Sequence, residues 1–293
     1  MPLVNYLSAA RACDELGDPV QRDELLQKAH RAAPGGSGAL AVGLTQAELQ
    51  LGSGQLEQAL AILLRLRDDA PRNPYVLKLL LNTYERVGDW PGVEAVYRDA
   101  RRQGVIDADR AEALRLRVAE HHLQRDAPGP ESAPEVRVKA LMSAFRRLPR
   151  ADRVHPGVVR TQVELLLGTG SPEGAHEAER LLREWLPQYW HPDLVDVYGR
   201  IEARDGERQL LAGETWLKER PGDPLLLLAL GRIAARLGHL DKARDYFLAA
   251  AEQEKSPDSL AELGMLSLRM DRQEEACASF REALRRSGHL VSN

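Results

Sequence analysis

Aromatic residues are scarce in this 293-residue chain, at 5% with only three phenylalanines. Runs of Val, Ile, Thr, Tyr and Phe of the kind that pleated sheets favour are correspondingly hard to find. Cysteine is almost missing. Cys13 and Cys277 stand near opposite ends, too few for a disulfide framework and in keeping with a reducing compartment. No apolar run approaches the roughly 18 residues that read as a membrane span, and the start shows no secretory leader. An excess of one charge is absent as well: 40 basic against 44 acidic residues leave a net charge of -4. Nothing global therefore draws the chain to nucleic acid or to an anionic membrane. What is present is a globular composition, 43% hydrophobic and 29% charged, long enough to bury a sizeable core. Ala, Leu, Arg, Glu and Gln dominate, and these are strong helix formers. The predicted fold class is all-α.

An internal period comes next. Marking each unit by a Gly between two helices and a Pro after the second gives Gly17 with Pro34, Gly54 with Pro71, Gly88, Gly170 with Pro187, Gly206 with Pro221, and Gly238. A last unit opens at Pro257. First helices then start at Leu3, Leu40, Pro74, Ala108, Pro156, Trp190, Pro224 and Pro257, with spacings of 37, 34, 34, 48, 34, 34 and 33. Five of these seven steps lie within one residue of 34, which marks a repeat array. The unit at 224 carries Leu230-Gly231, then Ala243, Phe247 and Ala250; the unit at 257 carries Leu263-Gly264, then Ala276, Phe280 and Ala283. Small residues at these places let two helices approach, and the large residue four positions on fills the gap. The last unit has Asp271 where its neighbour has Gly238, which predicts a looser turn.

LALGRIAARLGHLDKARDYFLAAAEQ and LAELGMLSLRMDRQEEACASFREAL resemble two ordinary tetratricopeptide repeats. That resemblance implies a right-handed superhelix of about eight helical hairpins. The step of 48 contains DAPGPESAP, Asp126 to Pro134, where three prolines and a glycine cannot continue a helix. The expected organisation is repeats over 1–125, a Pro-rich loop over 126–134, and repeats over 135–293, in one continuous solenoid. PLVNYLSAARACDELGD opens directly inside a first helix without a preceding cap, from which we expect the natural protein to continue upstream.

PLVNYLSAARACDELGD, APRNPYVLKLLLNTYERVGDW and the closing repeats together resemble the HemY family of proteobacterial inner-membrane tetratricopeptide proteins. The resemblance implies membrane helices upstream of this chain and a repeat region on the cytoplasmic side of the inner membrane. It also implies an association with haem biosynthesis, with partners among haem-synthesis enzymes or membrane proteins. No residue here carries that haem link by itself.

Chemistry is hard to find in the residues. No His-x-x-x-His, Cys-x-x-Cys, Gly-x-Ser-x-Gly or phosphate loop occurs, and Gly52-Ser53-Gly54 lacks the third glycine of a dinucleotide turn. His121 and His122 are adjacent, so on a helix they point about 100 degrees apart and do not converge on one metal. Cys13 and Cys277 fall at repeat positions expected in or near the core. The expectation is a non-enzymatic protein with no cofactor and no metal, binding proteins and not nucleic acid. Its binding surface is the concave groove lined by first helices. Tyr75, Lys78 and Asn82 lie there in the unit at 74, with Lys78 and Asn82 of the type that grips a peptide carboxylate. Arg232, Arg236 and Arg269 share the inner face further on and suit an acidic peptide, or alternatively the propionates of a haem or porphyrin. From Glu135 to Arg160 seven basic residues face two acidic ones, a solvated face or a contact for anionic headgroups.

Overall fold

The structure is a computed structural model and describes residues 2–253 and 257–288; His289 and the last four residues lie outside them. Every element among the described residues is a helix. The chain divides into two compact units, Met1–His121 and His122–Asn293. The division falls in the last turns of the helix that precedes the Pro-rich segment.

The first unit holds α1 (Pro2–Glu15), α2 (Pro19–Ala32), α3 (Gly36–Gly52), α4 (Leu56–Asp69), α5 (Pro74–Val87), α6 (Trp90–Arg102) and α7 (Ala108–Arg125). Helices α1 and α2, α3 and α4, and α5 and α6 pack as hairpins, and α4 packs on α5. Leu63, Val76, Leu80, Leu81, Val93 and Leu114 form its core. In the second unit are α8 (Pro134–Arg147), α9 (Arg150–Arg153), α10 (Pro156–Leu167), α11 (Pro172–Tyr189), α12 (Pro192–Arg200), α13 (Gly206–Glu219), α14 (Pro224–Leu237), α15 (Leu240–Gln253), α16 (Pro257–Arg269) and α17 (Gln273–Arg286). There α8 packs on α10 and α11, and the pairs α10 with α11, α14 with α15 and α16 with α17 are hairpins.

The repeat signature acts through helix ends. Asn73 accepts from the amides of Tyr75 and Val76, and Asp223 from that of Leu226. Each satisfies donors that a first helical turn leaves without partners, directly ahead of a proline suited to position N1. At the other end Gly88 and Gly238 take φ of 78° and 84°. The following amides reach back to the carbonyls of Tyr84 and Ala234, closing the left-handed cap that glycine adopts at little cost.

Four sequence expectations need correction. Asp271 does not loosen its turn: it takes φ of 59°, and the Arg272 amide reaches the Ser267 carbonyl at 2.9 Å, the same closure as after Gly238. Gly206 is not a turn residue; it opens α13 behind the cap Asp205. Pro187 does not close its helix. Helix α11 runs through it to Tyr189, the turn is made at Trp190 with φ of 21°, and the next first helix starts at Pro192 rather than Trp190. Cys277 is exposed and Cys13 half-buried, so neither serves as a core residue.

Close approach at the small residues is direct. A Cβ on Gly231 would lie 2.3 Å from the Phe247 ring, and one on Gly264 2.6 Å from the Phe280 ring.

Candidate functional site on the first-helix faces

In the first unit the first helices α1, α3, α5 and α7 are joined by polar rungs. Arg11 and the Tyr75 hydroxyl both donate to the Glu48 carboxylate. Arg86 donates to the Leu51 carbonyl at 3.3 Å, and Arg110 to both Glu85 oxygens at 2.7 Å. The hydrogen bond to Glu48, with burial second, pushes the Tyr75 phenol above its ordinary range. Tyr75 is thereby engaged. Lys78 and Asn82, one turn apart on α5, are exposed, and Asn82 lines a cleft of about 350 Å³ with Arg86 and Arg110.

The second unit repeats the pattern. Arg160 donates to Asp193 at 3.4 Å, and Arg232 to Asp196 at 2.6 Å and Glu262 at 2.7 Å. Helices α10, α12, α14 and α16 are linked in series by these pairs. Burial opposes the charge of Arg232, but the hydrogen bonds to Glu262 and Asp196 outweigh it and hold the guanidinium above its ordinary value. Arg236 donates to the carbonyls of Gly199 at 2.8 Å and Ile201 at 2.9 Å. Arg269 is exposed and has no ion-pair partner among the described residues. A cleft of about 480 Å³ crosses this face, floored by Leu225, Leu228 and Val197 and rimmed by Arg160, Arg200 and Asp258.

The six residues singled out from the sequence thus fall into two kinds. Lys78, Asn82 and Arg269 present their polar groups outward; Tyr75, Arg232 and Arg236 are spent on neighbouring helices. Sequence reasoning missed their acceptors, Glu48, Asp196 and Glu262. The available signal was an opposite charge one repeat away: Arg11 and Glu48 are 37 residues apart, Arg232 and Glu262 30.

Helix α12 explains why Arg236 is where it is. It has only nine residues, and a Cβ at its Gly199 would meet the Ala229 backbone at 2.5 Å, so α12 and α14 touch there. Its last carbonyls need donors from outside. Arg236 supplies two, and the Gln209 amide supplies two more, to Tyr198 at 2.8 Å and Ile201 at 3.2 Å. Among the described residues no cluster of three His, Cys, Asp or Glu side chains is placed to hold a metal ion, and no helix is long and apolar enough to cross a membrane.

Tetratricopeptide-repeat family profiles match residues 9–82, 226–256 and 257–289. Protein HemY of Escherichia coli K12 is 24% identical over 283 residues, covering 97% of this chain and 68% of that protein; Protein HemY of Shigella flexneri matches equally. Among solved structures, the C-terminal part of a repeat protein from Cytophaga hutchinsonii is 13% identical, with TM-score 0.46 over 85% of this chain and all of that one. A tetratricopeptide repeat protein from Parabacteroides merdae gives 14% and 0.35, over 96% and 92%.

Proposed function

The chain is a HemY-like protein built of tetratricopeptide repeats, and from that premise we propose that it is a non-enzymatic scaffold whose first-helix faces hold segments of partner proteins. Such repeats indicate protein–protein interaction as their general use, through extended rigid surfaces on which many modest contacts add. The observation that carries the finer reading is the cleft over α10, α12, α14 and α16, apolar in its floor and charged at its rim. A partner segment gains apolar burial there and orientation from the rim charges. Lys78, Asn82 and Arg269 are assigned to contact partners directly. Tyr75, Arg232 and Arg236 belong to the same faces by holding adjacent helices in register.

Following the HemY resemblance, the partners are enzymes or membrane proteins of haem synthesis, met at the cytoplasmic side of the bacterial inner membrane. A porphyrin carrier using Arg232 and Arg236 is the weaker reading, because both guanidiniums would first have to leave their present acceptors. The test is retention of proteins from host membranes by the native chain and by a variant with Lys78→Ala, Asn82→Ala and Arg269→Ala together with Arg160→Ala and Arg200→Ala at the cleft rim, read by mass spectrometry. These positions are exposed, so the variant keeps its fold. Haem-synthesis proteins enriched on the native chain and lost on the variant support the reading. Equal retention by both, or a haem Soret shift abolished by altering Arg232 and Arg236, would overturn it.

A further inference from the structure

Away from those faces, the first unit has a cavity of about 610 Å³ between α2, α3 and α4, larger in volume than the two first-helix clefts described above. Its floor is apolar, from Leu26, Val42 and Leu49. Its walls are unusual: five glutamines, Gln27, Gln46, Gln50, Gln55 and Gln58, line it, from a chain with 13 in all. The carboxamides do not satisfy each other. Gln50 donates to Gln58 at 3.3 Å, while its own Oε1 is buried with no hydrogen-bond partner among the described residues. A buried acceptor in that condition costs stability, and rotation of the Gln50 carboxamide toward the cavity would let it meet a donor there.

A carboxamide carries both a donor and an acceptor, the same complement as one peptide unit. Gln46 and Gln50 are one turn apart on α3, about 6 Å along the helix axis. An extended chain turns the same face outward every two residues, about 6.6 Å, so the two side chains can address successive main-chain units of a strand. Charge at the cavity decides the rest. Arg22 is taken by Asp14 and Asp23, whereas Arg31, one turn beyond Gln27 on α2, is exposed with no ion-pair partner among the described residues.

We infer that this cavity takes an extended, acidic segment of a partner protein, its main chain read by Gln46 and Gln50 and an acidic side chain by Arg31. The site is separate from the first-helix faces and does not depend on what they bind.

The test uses the full chain against a displayed library of random short peptides, followed by titration of synthetic copies of the retained sequences. Enrichment of Asp and Glu is expected. Gln46→Met and Gln50→Met keep side-chain volume and should each weaken binding about tenfold. N-methylation of the peptide's amides should do the same, and Arg31→Glu should turn the preference from acidic to basic peptides. Failure to retain any peptide would overturn the proposal, as would binding indifferent to N-methylation or to loss of both carboxamides. Circular dichroism of each variant separates lost binding from lost fold. Lys78, Asn82 and Arg269 are untouched by these changes, so this site and the first-helix reading stand or fall separately.

Discussion

Asp271 holds a backbone conformation that L side chains seldom adopt, with φ of 59°, because the turn it occupies is the one its neighbours close with glycine. The left-handed region costs a side chain roughly 1–2 kcal/mol, less for Asp, while glycine gives back part of that through its freer unfolded chain. Asp271→Gly should therefore raise the unfolding free energy by about 0.5–1 kcal/mol in a denaturant titration. The same scale separates two arginines that look alike in sequence. Arg236→Ala leaves the Gly199 carbonyl without its donor and should cost about 1–2 kcal/mol. Arg269→Ala removes an exposed side chain and should stay within about 0.5 kcal/mol. Equal effects from both would show that Arg236 does not cap α12. The glycine and proline marks were legible because each acts on its own backbone. The employment of Arg236 was not, because its acceptors lie 35 and 37 residues away in a helix whose early stop depends on packing against α14.

At the scale of elements, sequence periodicity located the first helices at 74, 108, 156, 224 and 257, and all five begin at those residues. It placed the start of α3 four residues late, at Leu40 for Gly36, and that of α12 two residues early, at Trp190 for Pro192; the second miss has a physical cause. A proline was read as a stop, but near the end of a helix it forfeits little, and α11 carries Pro187 in its last turn. The last helix, α17, offers a test by pH. Glu282 accepts from Arg285 at 2.7–2.8 Å and from Arg286 at 2.8 Å, and these hydrogen bonds lower its carboxyl to about 2. A lowered folded-state value means stability that is fully present above the ordinary glutamate range and is lost as pH falls through about 2. The carboxyl carbon of Glu282 should titrate near that value by NMR, and Arg285→Ala with Arg286→Ala should return it toward the ordinary range. Glu282→Gln should remove the corresponding acid-side slope in stability.

For the whole molecule, the ion pairs that join first helices lie about one repeat apart in sequence, and so do those joining second helices, such as Arg244 with Glu275, 31 residues on. Stability is then a chain of nearest-neighbour terms rather than one shared core. That organisation predicts how damage spreads. Gly231→Ala gains up to about 1 kcal/mol of helix propensity, but its Cβ would lie 2.3 Å from the fully buried Phe247 ring. Overpacking of this kind costs about 1–3 kcal/mol, so the net effect should be destabilising. Phe247 sits on α15, which packs on α14 and α16. Amides of α14, α15 and α16 should therefore exchange faster with deuterium in the variant. Those of α1 to α6, in the other compact unit, should keep their native rates. Uniform acceleration along the chain would show a single cooperative fold and defeat the nearest-neighbour account. Acceleration confined to α14, α15 and α16 would show that strain at one hairpin stays within its own stretch of the array, the property that lets separate faces hold partners independently.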